Sequence, residues 1–475
     1  MRTWTYDYVE LPEPQLRFHS QEKRYVSPNP IEGLKAWGPY DGSIPGALRP
    51  HPVRLAIVCP ENGFGAISGH LQKLQRPMKS HTSDEYVEDW PGFHPVFRAN
   101  IEIPDRPDHP LVLRVPDEEI REARHSPEPE VAFLELLKRH IGTLVPRRHE
   151  FHVVIIYIPD GWAAFRGGRE AGYDYDLHDA LKVYGAPNNL FFQLVNDKSL
   201  RNTDQARVLW WLALALYVKA GGIPWKLDEA ADGTAFVGLS YGISNARQQR
   251  IVMGCSQVFD ENGEGLRFLL YPLESPAIMR GKNPFLAQED ARRLFSRVRD
   301  IYQGANGRTA RRVVVHKTTH FTREEMDGIA LALAGVEDVE LLQIQQATDW
   351  RAIAFDQRRN DVHMFPVKRG TVVPLDPYAF LLWTQGNVLG VARNGRSYYQ
   401  EKNSIPRPLM VRRFRGSAPI EQVAGEILRL TKMNWNNHQL YDVLPVTIKF
   451  SNELSAIAKQ VHQSWQQPYD FRYFM

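Results

Sequence analysis

The stretch that decides the fold is YDYDLHDALKVYGAPNNLFFQLVND at residues 173–197, followed by ARVLWWLALALYVKAGGIPWKL at residues 206–227. Asp174 or Asp176 can cap a helix, because a short side-chain oxygen accepts a hydrogen bond from a free backbone N–H group. The apolar residues that follow recur at helical spacing. They therefore predict a helix that ends at the Gly-Ala-Pro segment beginning at Gly185.

Two more elements follow this helix. Leu190–Val195 is a short apolar run and predicts a buried strand, with Gln193 as the polar residue in its middle. Val208–Val218 predicts a long apolar helix that ends at Lys219, just before two glycines. The continuous apolar character of both elements indicates that they lie inside a core.

Four polar side chains on these elements suggest a phosphate site. His178 and Lys182 are four residues apart, so they share one face of the helix. Lys182 and Lys219 would supply positive charge, while His178 and Gln193 would add hydrogen-bond donors in fixed directions. The alternative is structural, because such pairs are common on solvated helix faces and Gln193 could be an amide satisfied inside the core.

Composition places the chain among ordinary globular proteins. Its 475 residues allow two or more domains, and a net charge of +3 gives no global signature of nucleic-acid binding, so such a partner would need a local basic groove. The two cysteines, Cys59 and Cys255, argue against a disulfide scaffold or a zinc site and favour a reducing cytoplasm. The N-terminus lacks the apolar core of a signal peptide, and no apolar run is long enough to cross a membrane.

The first part of the chain predicts a parallel α/β sheet. Val53–Cys59 and Phe151–Ile158 are continuous apolar runs that predict buried strands, and Glu128–Ile141 has the periodicity of an amphipathic helix. Strands and helices therefore alternate, which is typical of a parallel sheet. Residues 1–50 instead predict short strands and turns, with a Gly-Pro loop within residues 31–41.

Three glycines follow the first of these strands. Gly63, Gly65 and Gly69 approach the dinucleotide fingerprint, whose glycines let the backbone come close to a pyrophosphate, but the spacing differs by one residue. A tight turn between a strand and a helix explains the same pattern. A dinucleotide-dependent enzyme would also need an acidic residue about twenty positions further on, where Asp84 and Glu85 lie.

The remainder of the chain predicts a mixed sheet covered by helices. A meander of strands comes first, and helices then alternate with strands. The predicted elements are strands at Thr234–Tyr241, Gln248–Phe259 and Leu266–Tyr271, a helix at Asn283–Gln303, a strand at Arg312–His316, a helix at Arg323–Ala334, and strands at Val339–Gln345, Thr371–Trp383 and Val388–Arg393.

The sequence resembles prokaryotic Argonautes at several separate places. Four residues of this chain resemble the pocket that binds the guide 5′-phosphate in the Argonaute MID domain. In sequence order they are His178, Lys182, Gln193 and Lys219. One segment of this chain resembles the helix that opens the PIWI domain; it reads ALALYVKAGGIPWKL. A second segment, which begins at Leu430, resembles the C-terminal PIWI signature; it reads LTKMNWNNHQLYDVLPVTIKFSNELSAIAKQ. The GL…GP turn near the start of short Argonautes is similar to IEGLKAWGPYD.

The resemblance implies an α/β fold and three divisions of the chain. A Rossmann-like MID domain at residues 51–205 binds the guide 5′-phosphate, and an RNase H-like PIWI domain follows at residues 206–475. Residues 1–50 are expected to form an N-terminal extension that packs on PIWI. No PAZ or N domain fits before the MID-like block, so the resemblance is to short prokaryotic Argonautes.

The resemblance also implies that the PIWI nuclease is inactive. Active PIWI domains hold two divalent ions on clustered carboxylates, and two of the carboxylate positions correspond to Ser240 and Lys317. Serine supplies no negative charge and lysine repels a metal ion, so we expect no slicing. The C-terminal catalytic position falls near Asn452 or Glu453.

An enzyme is the alternative. His316, His320 and Glu324 could form a rearranged metal site, and the chain would then be a guided endonuclease. The structural explanation is that these residues lie apart, on a loop and a helix face.

The resemblance points to two more sites. Arg412, Arg413 and Arg415 lie on a predicted strand, where they could contact a nucleic-acid backbone or could protect a solvated edge strand from aggregation. In this family the C-terminal carboxylate can bind a divalent ion beside the guide phosphate. By resemblance, Met475 would join Gln193 around a Mg²⁺ ion.

The function implied is guided recognition. A small guide RNA would be held by its 5′-phosphate and would pair with a target, expected to be single-stranded DNA, so that base pairing reads the sequence and the protein reads the backbone. Without a nuclease, the protein would need an APAZ-domain partner that carries a Sir2, TIR or nuclease effector. Target recognition would switch on this effector in cytoplasmic defence against viruses or plasmids, for instance by depleting NAD.

Overall fold

The computed structural model describes residues 7–475 except residues 82–85, 171–172, 230–232, 245–250, 274–277, 282, 347–348, 357, 359, 364, 393–394, 402–403 and 459–468. Two sheets organise this part of the chain. One is a five-stranded sheet and the other a nine-stranded sheet, and helices pack against both. The α/β class predicted from the sequence is therefore confirmed.

The five-stranded sheet is parallel and belongs to the first part of the chain. Its strand order is β10-β7-β4-β5, and β6 also pairs with β4. Helices cover both faces, which is why the apolar run of β7 is buried along its whole length. The elements are β1 (Val9–Glu10), β2 (Leu16–Arg17), β3 (Val26–Ser27), α1 (Pro30–Trp37), β4 (Val53–Pro60), α2 (Phe64–Gln72), α3 (Phe93–Phe97), β5 (Ile101–Glu102), β6 (Val112–Val115), α4 (Asp117–Arg124), α5 (Pro129–Gly142), β7 (Val153–Ile158), β8 (Gly167–Glu170), β9 (Tyr173–Asp176), α6 (Leu177–Asn188), β10 (Phe191–Asn196) and α7 (Asp197–Leu200).

The helix that carries the candidate phosphate ligands is α6. Asp176 is its N-cap, as predicted, and accepts a hydrogen bond from the backbone N–H of Asp179 at 3.1 Å. The end predicted at Gly185 and Pro187 is one residue early, because α6 continues through Pro187 to Asn188. A Cβ at Gly185 would lie 2.5 Å from the carbonyl oxygen of Leu190, so this glycine lets the helix pack closely on the chain that enters β10.

The nine-stranded sheet has the order β1-β21-β22-β23-β18-β17-β12-β13-β14. The predicted meander is confirmed, since β12, β13 and β14 are consecutive antiparallel neighbours, while β12, β17 and β18 run parallel. The elements are α8 (Gln205–Lys219), β11 (Lys226–Leu227), β12 (Thr234–Ser244), β13 (Ile251–Phe259), β14 (Gly265–Pro272), β15 (Ile278–Arg280), β16 (Asn283–Phe285), α9 (Gln288–Asn306), β17 (Arg312–Lys317), α10 (Arg323–Ala332), β18 (Asp338–Gln345), β19 (Phe355–Asp356), β20 (Asp361–Val362), β21 (Thr371–Asp376), β22 (Ala379–Leu382), β23 (Leu409–Arg415), α11 (Ile420–Leu430) and α12 (Val446–Ala458).

Three local predictions were wrong. A loop was expected within residues 31–41, but residues 31–37 belong to helix α1, because Pro30 suits the first turn of a helix. The helix expected from Asn283 starts at Gln288, since the residues before it form strand β16. The strand predicted at Val388–Arg393 is not formed among the described residues of this segment, where Val388 makes only an isolated bridge with Tyr398.

Helix α12 lies directly on strand β12, and two glycines make this possible. A Cβ at Gly238 would lie 2.0 Å from the carbonyl oxygen of Thr447, and a Cβ at Gly242 would lie 2.8 Å from the carbonyl oxygen of Ser455. Any larger residue would push the helix away from the sheet. The contact brings the side chains of α12 beside the middle of β12.

The N-terminal residues contact the second sheet. Strand β1 pairs with β21 at the edge of the nine-stranded sheet, whereas β2 pairs with β11 and β3 in a separate three-stranded sheet. Between these strands, the carboxylate of Glu13 lies 2.5 Å from the ammonium of Lys432 and 3.3 Å from Nε of Arg369. Both cations are buried, so Glu13 supplies a charge that this part of the core needs.

Candidate functional site

Lys182, Gln193 and Lys219 come together where α6, β10 and α8 meet. The ammonium group of Lys219 donates hydrogen bonds to the side-chain oxygen of Gln193 at 2.7 Å and to the carbonyl oxygen of Phe192 at 2.8 Å. The ammonium group of Lys182 donates to the carbonyl oxygen of Phe474 at 3.0 Å. All three side chains are buried, so the solvated-face alternative is wrong for Lys182.

The two lysines repel each other in this buried pocket. Burial, and then the charge of Lys182, lowers the pKa of Lys219 to about 7. Burial also lowers the pKa of Lys182, while the carboxylates of Asp179 and Glu453 oppose the change. Lys219 forms no ion pair with any described residue. A buried ammonium group without a carboxylate partner would be stabilised by an anion.

His178 is the fourth residue of the pocket and its side chain is 40 % exposed. Partial burial lowers its pKa well below 6.5, and the charges of Lys182, Lys219 and Arg166 add to the effect. The imidazole is therefore neutral near pH 7 and can still donate one hydrogen bond. Two ammonium groups, an imidazole and an amide together provide the donors that a phosphate group requires.

These residues alone do not fit a resident magnesium ion. The side-chain oxygen of Gln193 already accepts a hydrogen bond from an ammonium group, whose charge would repel a divalent ion. Met475 is buried, with 2 % of its surface exposed. Among the described residues, the potential metal ligands that do lie together are Asp176, His178 and Asp179. Asp176 is already engaged there as the cap of α6.

Ser240 and Lys317 lie on neighbouring strands in the centre of the nine-stranded sheet. Strands β12 and β17 are parallel neighbours, and Leu239 is in register with Lys317. The hydroxyl group of Ser240 donates a hydrogen bond to the carbonyl oxygen of Ser451 in α12. The two positions that the resemblance assigned to nuclease carboxylates are therefore neighbours in the fold.

Lys317 forms a buried ion pair with Glu325. Its ammonium group lies 2.6 Å from the carboxylate, and the two side chains are 1 % and 0 % exposed. Burial lowers the pKa of Lys317 to about 8, and Glu325 opposes the change. The rings of Tyr241, Phe285 and Phe321 lie 4.9, 4.7 and 5.3 Å from the ammonium group and stabilise its charge. The charge of Lys317 is thus balanced by Glu325 and enclosed by aromatic rings.

A cavity of about 120 Å³ opens beside this pair. Its polar lining comes from Ser240, Tyr241, Asn283, Lys317, Thr318, Thr319, Asn452 and Ser455. Among the described residues, no carboxylate lines it. Magnesium and related ions prefer carboxylate oxygens, so the cavity does not suit a nuclease metal ion.

Asn452 and Glu453 face different sites from adjacent positions of α12. Asn452 lines the cavity with Ser240, so it is the better candidate for the C-terminal catalytic position. Glu453 lies near Lys182 instead. Burial raises the pKa of Glu453, and the charge of Lys182 opposes the change. Helix α12 therefore contributes to both the lysine pocket and the cavity.

The alternative metal ligands do not converge. His316 is fully buried, and its Nδ1 lies 2.7 Å from the hydroxyl oxygen of Thr447. His320 packs its ring against Phe285, with ring centroids 4.6 Å apart. Among the described residues, these two histidines and Glu324 form no group that could share a metal ion.

The three arginines of β23 have different surroundings. Strand β23 lies between β18 and β22, so the edge-strand alternative is wrong. Arg413 forms an ion pair with Glu340 at 3.1 Å and donates a hydrogen bond to the carbonyl oxygen of Ala418. Arg412 and Arg415 are exposed. The three side chains do not form one continuous row, because Arg413 is already bound within the protein.

Of the three glycines after β4, Gly63 lies in the turn between the strand and α2, whereas Gly65 and Gly69 lie inside α2. Gly63 is the N-cap of α2, and a Cβ at Gly65 or Gly69 would meet no atom within 4 Å. Tight packing within the protein therefore does not require glycine at the last two positions. Asp84 and Glu85, which the dinucleotide alternative needs, lie outside the described residues.

Comparison with known proteins gives similarity to Argonautes. No protein-family profile matches the chain. Over 303 residues, 63 % of this chain, the sequence is 22 % identical to Protein argonaute of Aquifex aeolicus, of which it covers 38 %. Clostridium butyricum Argonaute bound to a guide DNA and a 19-mer target DNA aligns over 96 % of this chain and 53 % of its own, with a TM-score of 0.63 and 16 % identity. Aquifex aeolicus Argonaute with externally bound siRNA aligns over 98 % of this chain and 56 % of its own, with a TM-score of 0.61 and 16 % identity.

The fold is that of the MID–PIWI lobe of Argonaute proteins. The chain spans 53 % and 56 % of the two solved structures, about half of their length. Within the described residues, no helix has the length and apolar character needed to span a bilayer.

Proposed function

We propose that this chain is an Argonaute that binds a short guide nucleic acid by its 5′-phosphate and recognises a complementary strand. The buried ammonium group of Lys219 carries the proposal, because no described residue forms an ion pair with it and Lys182 lies close by. A terminal phosphate would supply the missing negative charge. It would also accept hydrogen bonds from His178 and Gln193. The similar Argonautes with bound DNA or siRNA support this function.

In this proposal the guide is a small RNA and the target is single-stranded DNA, as the resemblance to short prokaryotic Argonautes implies. Arg412 and Arg415 are exposed on β23 and would contact the sugar-phosphate backbone without reading its sequence. Magnesium would enter only with the guide, whose phosphate oxygens would add to the ligands from Gln193 and the carboxylate of Met475.

The proposed recognition does not cut the target. Ser240 and Lys317 stand at two positions where an active nuclease has carboxylates, and the absence of a carboxylate from the described lining of the cavity supports inactivity. The response to a target would then come from a cytoplasmic APAZ-domain partner with a Sir2, TIR or nuclease effector, in defence against viruses or plasmids. The second candidate, a guided endonuclease, would need metal ligands that converge elsewhere.

The test compares two RNA guides that differ only at the 5′ end. The protein should bind the 5′-phosphorylated guide about tenfold or more tightly than the 5′-hydroxyl guide, since a charge-assisted hydrogen bond contributes about 1.5–3 kcal/mol. Equal affinity for the two guides would reject the phosphate site. Guide-loaded protein incubated with labelled complementary DNA and Mn²⁺ should leave the DNA intact, and cleavage would favour the endonuclease.

Guide affinity should fall as the pH rises above about 7. Lys219 has a pKa of about 7 in the free protein, and a bound phosphate would raise it, so binding takes up a proton in this range. The affinity should decrease by up to about tenfold per pH unit until the pH reaches the pKa of the bound state. Titrations between about pH 6.5 and 9 measure this effect. A 5′-hydroxyl guide is the control, and an equally steep curve for it would contradict the explanation.

A further inference from the structure

We propose that a groove at the edge of the nine-stranded sheet binds a nucleoside polyphosphate, whose phosphates contact arginines and whose base packs on an apolar wall. The groove has a volume of about 650 Å³ and is formed by strand β14, helix α9 and residues near the C-terminus. Among the residues that the structure describes, it shares none of its lining with the lysine pocket or with the cavity beside Ser240. Its ligand is therefore additional to a guide and does not depend on the proposed function.

The groove opens at the opposite end of the sheet from the cavity beside Ser240. The turn that joins β13 to β14 adjoins the start of β12, because Phe259 is in register with Phe236. Ser240 lies further along β12. Gly304 and Ala305 line the groove from the last turn of α9, just before the chain enters β17. A molecule in the groove would thus leave the central cavity free.

Three arginines reach the groove from separate elements, Arg267 from β14, Arg297 from α9 and Arg472 from the C-terminal residues. Arg267 and Arg472 share one carboxylate, because their Nη1 atoms lie 3.0 and 3.7 Å from Asp470. Arg297 is exposed and forms no ion pair with any residue that the structure describes. The Nε atom of Arg472 is buried and lacks a hydrogen-bond partner within the described part of the chain. Guanidinium groups in this state suit a phosphate, whose oxygens accept pairs of hydrogen bonds from them.

The carboxylates that line the groove do not cancel this positive charge. Glu264 forms an ion pair with Lys226 at 2.8 Å, and Asp300 lies 3.4 Å from Arg299. Each of these two carboxylates thus has a cation that is not one of the three arginines. Asp470 also accepts a hydrogen bond from a backbone N–H group at 3.0 Å. The balance of charge around the groove therefore favours an anion.

The size and the apolar wall of the groove favour a ligand larger than one phosphate. Leu269 and Ile301 provide the apolar side chains of the wall, and the small residues Gly304 and Ala305 continue it. A Cβ at Gly304 would meet no atom within 4 Å, so this part of the wall is open. A volume of about 650 Å³ is typical of sites for small organic ligands. A planar base on this wall would place its phosphates within reach of the arginines.

An acidic peptide from a partner protein fits this edge of the sheet less well. A peptide would add a strand to β14 through backbone hydrogen bonds. Tyr469 already occupies the middle of this edge, because it exchanges two backbone hydrogen bonds with Phe268, at 3.0 and 3.1 Å. The chain itself therefore blocks the addition of a continuous strand, and a small ligand remains the better occupant.

Nucleotide binding is measured on the protein without nucleic acid, by isothermal titration with ATP, GTP, CTP and UTP. At least one of them should bind at a single saturable site. It should bind about tenfold or more tightly than inorganic tripolyphosphate, because the base buries apolar surface against the wall. Lack of saturable binding by all of these nucleotides at millimolar concentrations would reject the site. Equal affinity for tripolyphosphate would show that no base packs in the groove.

Arg297→Gln removes one phosphate contact and should weaken nucleotide binding about tenfold. The matched control is Arg292→Gln, which removes the same charge from an exposed arginine of the same helix outside the groove and should bind like the wild type. Gly304→Glu adds a carboxylate to the open part of the wall and should abolish binding. Equal effects of Arg297→Gln and Arg292→Gln would mean that the nucleotide responds only to the overall charge of the protein.

The lysine pocket is the other place where a triphosphate could bind. Lys182→Met/Lys219→Met removes both of its ammonium groups and should leave the nucleotide affinity unchanged. Loss of binding in this variant, with Arg297→Gln unaffected, would assign the nucleotide to the lysine pocket and overturn the groove as its site. Hexaglutamate serves as the acidic peptide, and tighter binding of hexaglutamate than of every nucleotide would identify the groove as a peptide site instead.

Discussion

Replacing Lys182 and Lys219 together by alanine should weaken binding of a 5′-phosphorylated guide by about 100-fold or more. Each lysine would lose a charge-assisted hydrogen bond worth about 1.5–3 kcal/mol, and two such losses correspond to at least that factor. A 5′-hydroxyl guide lacks the charged group and should be affected much less. Equilibrium titration of both labelled guides measures the two affinities directly.

The control for this prediction separates charge from packing. Lys182→Met/Lys219→Met keeps apolar side chains of similar length, so it should lose the phosphate preference as fully as the alanine variant. Both lysines are buried, and thermal unfolding should be compared to confirm that the variants remain folded. A similar loss for both guides would mean that the lysines support the fold and not the phosphate.

The sequence predicts the lysine pocket well because most of it is local. His178 and Lys182 share a helix face through their spacing, and Gln193 and Lys219 lie on later elements of the same stretch of chain. The carbonyl group of Phe474 also belongs to the pocket but lies 292 residues from Lys182 along the chain. No periodic pattern links residues so far apart, so only the fold reveals this contact.

The cavity in the second sheet is harder to predict from sequence. The sequence shows that Lys317 is an unsuitable metal ligand. It does not show that Glu325 is its partner, because a glutamate is common in the first turn of a helix. Thr322 and Glu325 do form a capping box, and the same carboxylate also accepts a hydrogen bond from the buried ammonium group. Likewise, the burial of Arg413 depends on Glu340 from a neighbouring strand, which strand periodicity alone cannot identify.

Lys317→Met should lower the free energy of unfolding by about 3–5 kcal/mol, because it leaves the carboxylate of Glu325 buried without a counter-charge. The aromatic rings around the ammonium group cannot compensate, since the faces of Tyr241, Phe285 and Phe321 attract cations and not anions. A lower midpoint in thermal or urea unfolding would measure the loss.

The double variant Lys317→Met/Glu325→Gln decides whether the unpaired charge causes that loss. Breaking a buried ion pair is costly, whereas replacing both partners by neutral groups of similar size is often nearly neutral. The double variant should therefore recover most of the stability, because the amide oxygen of the introduced glutamine could still accept the hydrogen bonds from Tyr241 and the backbone of Leu286. If it were as unstable as Lys317→Met alone, packing around the lysine stem, and not its charge, would hold this part of the sheet together.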